Sequence, residues 1–294
     1  MVDSGLSRIS YLFISYLSVE ALRIPSNFAK MGTKEGDAVP TPNDSIAVFD
    51  SGVGGISVLR HLRRELPNER FLYFGDSANA PYGTRPTEEI LALTMAAAEK
   101  LMHRGIKALV LACNTATAVA AKPLRLKYPD TIIIGIEPAV KLASDRFPKG
   151  NFGILATPAT LREGKLERLL HRCPEDCHVV KLPAAGLVEL VESGNANSAA
   201  TRQLLEPMLS PYAGKLDAVV LGCTHYPFAA PVISELLGKD CVLLDGGAGT
   251  AAQTRRRLEQ AGLLRQGAGE LCIENSSNDP RLIDLCHQLL EESL

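Results

Sequence analysis

Two stretches of this chain are written almost alike. Ala108-Leu109-Val110-Leu111-Ala112-Cys113-Asn114-Thr115 and Ala218-Val219-Val220-Leu221-Gly222-Cys223-Thr224-His225 are both continuous apolar runs that stop on a cysteine followed by hydrogen-bonding residues. A run that is apolar at successive positions reads as a strand covered on both faces, the habit of parallel sheets flanked by helices. Ligands of such sheets gather beyond the carboxyl ends of the strands. Two thiols presented there, one in each half of the chain, point to one chemical device assembled from two halves.

The rest of the chain alternates strand with helix. Ile46 to Asp50 is an apolar strand ending on a carboxylate, followed by the glycine-rich turn Ser51-Gly52-Val53-Gly54-Gly55. Ile56, Leu59, Leu62 and Leu66 recur at helical spacing until Pro67. Arg70 to Gly75 is a strand, residues 76 to 86 a loop, and Thr87 to Arg104 a helix. A helix-like segment follows each cysteine. Strands are expected at 132–136, 152–156, 179–182, 242–245 and near 271, with helices from Pro158 towards Leu170, from Gly186 to Glu192, from Ser198 to Leu209, from Thr250 to Ala261 and to Leu290. This alternation is the pattern of an α/β protein with parallel sheets.

At 294 residues there is room for two modest domains, each with its own core. A net charge of −2, no tryptophan and 5% aromatic residues give no reason to expect nucleic acid as a partner. Seven scattered cysteines, an odd number, do not make a disulfide framework and fit free thiols in a reducing cytoplasm. No run is long enough to cross a membrane, so none is expected as a partner. Residues 1–45 read as a disordered N-terminal extension: Ile9 to Leu22 is broken by serines, and residues 30–45 are rich in Gly, Pro, Thr, Asp and Lys. Met31 is an alternative start.

Three chemistries compete for these residues. The turn after the first strand resembles a dinucleotide-binding loop, but Ser57 occupies the place of its third glycine and Asp50 would stand beside a pyrophosphate. His171-Arg172-Cys173-Pro174-Glu175-Asp176-Cys177-His178 holds ligand types for a metal, too crowded for a tetrahedron and with no second knuckle. The paired thiols suit acid–base work: moving the α-proton of an amino acid from one face to the other needs a base on each side. A helix start after each cysteine would bias it towards thiolate. Against this stands the common fate of a lone cysteine as a small core hydrophobe.

Asp50-Ser51-Gly52-Val53-Gly54-Gly55, Pro81-Tyr82-Gly83, Ala112-Cys113-Asn114-Thr115-Ala116, Val191-Glu192-Ser193-Gly194 and Leu221-Gly222-Cys223-Thr224-His225 together resemble the glutamate racemases, in that family's order, from about Ile46 to the C-terminus. The resemblance implies two pseudosymmetric parallel-sheet α/β domains facing across an active-site cleft. The first would take residues 46–137 and, on the return of the chain, 246–294; the second would take 138–245. It implies cofactor-independent interconversion of L- and D-glutamate, with no metal, for peptidoglycan. Cys113 and Cys223 would be the acid/base pair, Asp50 assisting the first and His225 the second, with Glu192 tuning the histidine; Glu189, a turn earlier, is the rival carboxylate. Asp50, Ser51, Tyr82, Gly83, Asn114, Thr115, Thr117, Thr224 and His225 would hold the substrate. A homodimer is the default assembly, and a cell-wall precursor the candidate activator. Where many members carry Ser-Gly-x-Tyr, this chain has Glu163-Gly164-Lys165-Leu166. The alternatives are a racemase for aspartate or another amino acid, and a catalytically silent amino-acid-binding protein.

Overall fold

The computed structural model describes residues 39–162 and 164–291. The expected extension, up to residue 38, and the alternative start at Met31 lie outside the described residues.

The chain runs through β1 (Ser45–Asp50), α1 (Ile56–Glu65), β2 (Arg70–Gly75), α2 (Thr87–Met102), β3 (Ile106–Leu111), α3 (Asn114–Lys127), β4 (Ile132–Gly135) and α4 (Val140–Arg146). It continues as β5 (Asn151–Ala156), α5 (Pro158–Arg162), α6 (Gly164–Leu170), β6 (His178–Pro183), α7 (Leu187–Glu192), α8 (Ala199–Leu209) and β7 (Ala218–Leu221). Then come α9 (Ala230–Leu237), β8 (Val242–Leu244), α10 (Gly247–Ala261), β9 (Glu270–Asn275) and α11 (Pro280–Glu291). All strand pairs are parallel, in two sheets ordered β4-β3-β1-β2-β9 and β6-β5-β7-β8.

Read from its other edge, the second sheet is β8-β7-β5-β6, the order of the first four strands of the first sheet. β3 and β7 therefore occupy the same place in two copies of one motif. In each copy the strand order reverses beside that strand, between β1 and β3 and between β5 and β7. The crevice beyond such a reversal is where this architecture accepts ligands. Cys113 and Cys223 follow β3 and β7 directly across one residue.

Alternate residues of β1 serve separate cores, Ile46 and Val48 on one face and Ala47 and Phe49 on the other. Both faces are thus dry, as the unbroken apolar runs require. β9 joins β2 in the first sheet, and α10 packs against α1 through Ala251 and Leu258. The first core also takes in Val191, Ala196 and Phe228 from the other half.

Two expectations about elements need correction. α10 begins at Gly247, three residues before the expected start at Thr250. Cys223 does not open an α-helix: Tyr226–Ala229 is a 3-10 turn, and α9 starts only at Ala230. Pro227 and Pro231 lack the N–H groups that an earlier start would use inside the helix.

Candidate active site

Beyond β3, Cys113 is the N-cap of α3, and its sulfur accepts a hydrogen bond from Ala116 N at 3.4 Å. Ser51 Oγ lies 3.4 Å from the same sulfur. The expected bias towards thiolate is reversed. Burial, and then the negative charge of Asp50, push the Cys113 thiol up to about 12, against the pull of the Ser51 and Ala116 hydrogen bonds. A helix N-terminus offers one polarised N–H, whereas an enclosed sulfur forfeits its whole hydration shell on ionising.

Asp50, at the end of β1, is completely buried. It accepts hydrogen bonds from Gly52 N at 3.1 Å and from Thr224 Oγ1, in the other half, at 3.1 Å. Burial raises its carboxyl to about 6 in spite of the positive charge of His225 and these two donors.

The second cysteine stands in a different electrostatic setting. His225 Nδ1 is 3.6 Å from Cys223 Sγ, and His225 Nε2 is 2.7 Å from Glu192 Oε1. Burial works against a charged imidazole, but hydrogen bonds to Cys223 and Glu192 outweigh it and hold His225 well above its ordinary value. Burial likewise opposes ionisation of Glu192, yet the His225 contact keeps its carboxyl below the ordinary value. Oε1 also accepts from Val53 N at 2.8 Å, so the glycine-rich turn of the first half helps fix the histidine of the second.

That turn is glycine-rich because the ion pair rests on it. A Cβ at Gly52 would stand 1.9 Å from Glu192 Oε1, and one at Gly54 would stand 2.3 Å from His225 Nδ1. Backbone and side chain approach there more closely than any other residue permits.

A cavity of about 350 Å³ lies at this junction, within the range of small-molecule sites. Cys113 and Cys223 both line it, as do Ser51, Tyr82, Gly83, Asn114, Thr115, Thr224 and His225. Asp50 and Glu192 stand behind this wall, acting on it through Thr224 and His225. Thr117 was expected to touch substrate, but it does not line the cavity; its hydroxyl donates to Leu111 O at 3.0 Å. Tyr82 reaches the wall with its hydroxyl already committed to Asp76 Oδ2 at 2.6 Å. Asn114 Oδ1 is buried and, among the described residues, has no hydrogen-bond partner. An acceptor left so is costly unless a ligand completes it.

Sequence reasoning overlooked Thr157, Thr160 and Arg162, which line the cavity together with Glu189, the rival carboxylate. The Thr157-Pro158-Ala159-Thr160 motif was the available signal, carried on the strand-to-helix turn after β5. Glu189 and Glu192, a turn apart on α7, divide the work: the first faces the cavity and the second holds His225. Leu166, where the resemblance leads one to expect a tyrosine, is buried in the core of the second half. Cys173 and Cys177 direct their thiols at backbone carbonyls, and among the described residues no group of three or more His, Cys, Asp or Glu is placed to hold a metal ion. No described helix is long and apolar enough to cross a membrane.

This geometry can be set beside known proteins. The family model for Asp/Glu/hydantoin racemase matches residues 53–254. A glutamate racemase from Clostridium botulinum is 44% identical over 254 residues, covering 85% of this chain and 98% of its own length. Among solved structures, a glutamate racemase isoform from Bacillus anthracis has a TM-score of 0.77 at 29% identity, covering 86% of this chain and 96% of its own. Escherichia coli glutamate racemase, in complex with L-glutamate and the activator UDP-MurNAc-Ala, has a TM-score of 0.74 at 30% identity, covering 84% of this chain and 96% of its own. With two α/β repeats enclosing one cavity and a family match over more than half its length, the chain is an enzyme of the Asp/Glu/hydantoin racemase family.

Proposed function

We propose that this enzyme racemises glutamate without a cofactor, using two thiols on opposite faces of the substrate α-carbon. The observation that carries the reading is the equivalence of Cys113 and Cys223, which follow the same strand of two repeats and line one cavity. One cysteine, as thiolate, takes the α-proton onto its sulfur while the C–H electron pair passes to the α-carbon and its carboxylate. The other, as thiol, gives a proton to the opposite face and becomes the thiolate. Atoms and charge balance without an oxidant, and the same steps in reverse serve the mirror-image substrate.

The supporting groups suit these roles unequally. Asp50 strengthens the hold of Cys113 on its proton, which suits Cys113 to the acid role in the free chain. His225, steadied by Glu192, stands within hydrogen-bond reach of Cys223 as its proton partner. Ser51, Gly83, Asn114, Thr115 and Thr224 supply fixed polar groups for two carboxylates and an ammonium, and the unpartnered Asn114 Oδ1 suits the cation. Donors fixed in advance also favour the charge that grows on the α-carboxylate as the proton leaves. In this reading residues 46–137 with 246–294 form one domain and 138–245 the other. The product is D-glutamate for peptidoglycan, made in a reducing cytoplasm, where the seven cysteines stay free. A cell-wall precursor like that bound to the E. coli relative is the candidate activator.

Circular dichroism of the enzyme with D-glutamate tests the proposal. Ellipticity is expected to decay to zero, and Cys113→Ala and Cys223→Ala are expected to abolish the decay. Decay with aspartate alone would move the substrate, and unchanged rates in either variant would remove the two-thiol mechanism.

A further inference from the structure

The carboxylate that steadies His225 has a second oxygen, and its partners lead away from the cavity. Glu192 Oε1 is occupied by His225 Nε2 and Val53 N. Glu192 Oε2 accepts from Ser77 Oγ at 3.4 Å, and Ser77 Oγ in turn accepts from Asn275 Nδ2 at 2.8 Å. Asn275 cannot turn its amide round, because its Oδ1 accepts from Ser277 N at 3.0 Å and from Ser277 Oγ at 2.8 Å. A serine has one proton to donate. With Asn275 filling an acceptor site of the hydroxyl, that proton is left for Glu192. The chain therefore has one polarity, from the end of β9 through Ser77 to Glu192 and His225. None of its outer members lines the cavity.

We propose that Ser77 and Asn275 are positioning residues, which orient the Glu192 carboxylate and through it set the protonation and placement of His225 beside Cys223. This rests on the reading of Cys223 and His225 as one acid–base unit. It gives β9, the strand that returns to the first sheet, a part in the chemistry at the end of β7.

The charged and titratable groups around His225 are Cys223 on its own loop, Glu192 from α7 and Asp50 from β1. Glu192 also acts on Tyr73 from β2 and Cys286 from α11. None of these is altered by Ser77→Ala, so a change in the titration of His225 reports the lost hydrogen bond.

The test is an NMR titration of the histidine rings in the full chain, the His225 signal being identified by its loss in His225→Asn. Racemisation of α-deuterated L- and D-glutamate is measured alongside. In Ser77→Ala the His225 titration is expected to move towards lower pH, and kcat/KM to fall roughly 3- to 10-fold, the range of one modest hydrogen bond. Because two enantiomers are equally stable, kcat/KM must fall equally in both directions. The deuterium effect is expected to grow in only one, that in which Cys223 removes the proton. Ser77→Thr, which keeps the hydroxyl, is expected to restore both readouts, and Asn275→Ala to give a smaller shift of the same sign. An unchanged His225 titration and isotope effect in Ser77→Ala would overturn the proposal. Wild-type rates in Cys113→Ala and Cys223→Ala would instead overturn the two-thiol reading beneath it.

Discussion

Replacing Asp50 by Asn is expected to stabilise the protein while it impairs catalysis. Asp50 is completely buried and titrates near 6, where an unfolded aspartate has a value of 3.8. Between those two values the folded chain holds a proton that the unfolded chain releases, so the Asp50 contribution to stability falls as pH rises through this window. Above it the penalty is constant. At about 1.4 kcal/mol per pH unit the charged carboxylate costs about 3 kcal/mol at pH 8 and roughly 1 kcal/mol at pH 4.5. The amide fits the same contacts. Its oxygen can accept from Gly52 N, and its nitrogen can donate to Thr224 Oγ1, whose hydroxyl serves equally as an acceptor. The melting temperature of Asp50→Asn is therefore expected to exceed wild type by roughly 6–12 °C at pH 8 and by much less at pH 4.5. Urea unfolding at the two pH values gives the same comparison as free energies. Racemisation is expected to fall, because Cys113 loses the neighbouring charge that strengthens its hold on a proton. A variant less stable than wild type at pH 8, or a gain that does not depend on pH, would refute the reasoning.

Gly54→Ala drives a Cβ to within 2.3 Å of His225 Nδ1. We expect a loss of about 1–3 kcal/mol in thermal unfolding from overpacking and a fall in kcat of about 100-fold as the ring leaves Cys223; wild-type kcat would refute the tight-approach account. Alkylation of Cys113 by iodoacetamide in the free chain, followed by peptide mass spectrometry, is expected to rise about tenfold per pH unit between pH 7 and 10 without a plateau, since burial pushes that thiol up to about 12. A plateau near pH 9 would contradict it. Lys107, fully buried, holds Glu69 Oε2 at 2.5 Å and the carbonyls of Pro42 and Leu263. Lys107→Met leaves the Glu69 carboxylate buried without its cation and is expected to cost about 3–5 kcal/mol in urea unfolding; adding Glu69→Gln should recover part of that loss.

What could be read from the sequence depended on how far away the cause lay. β1, β3 and β7 were legible because burial on both faces leaves an unbroken apolar run, and the two cysteines because one pattern is written twice. Gly52 and Gly54 looked like a nucleotide loop because their reason, His225 and Glu192, is more than a hundred residues away. The ionisation of Cys113 was misjudged for a similar reason. The helix start beside it is visible locally, whereas the enclosure of its sulfur is made by the tertiary fold. Thr117 sits one helical step from Asn114, but its hydroxyl turns back to the carbonyl of Leu111, a choice that spacing does not reveal. Arg162 carries no local mark of the cavity it faces.

On one side of the cavity the two repeats are joined by hydrogen bonds between buried and part-buried groups. Ser57 Oγ donates to Thr224 O at 2.8 Å, Thr224 Oγ1 to Asp50, and Val53 N to Glu192. Elsewhere on the wall the repeats meet at small residues: the turn Tyr82–Thr84 packs against α5, with Gly83 beside Thr157 and with Thr84 and Arg162 exposed. Parting the repeats at His225 would break the hydrogen bonds that join His225, Glu192 and Asp50 to their partners, whereas parting Gly83 from Thr157 would leave those bonds untouched. On the two-thiol proposal, a ligand is therefore expected to enter past Thr84 and Arg162, and a bulky substitution at Thr84 to slow binding more than chemistry.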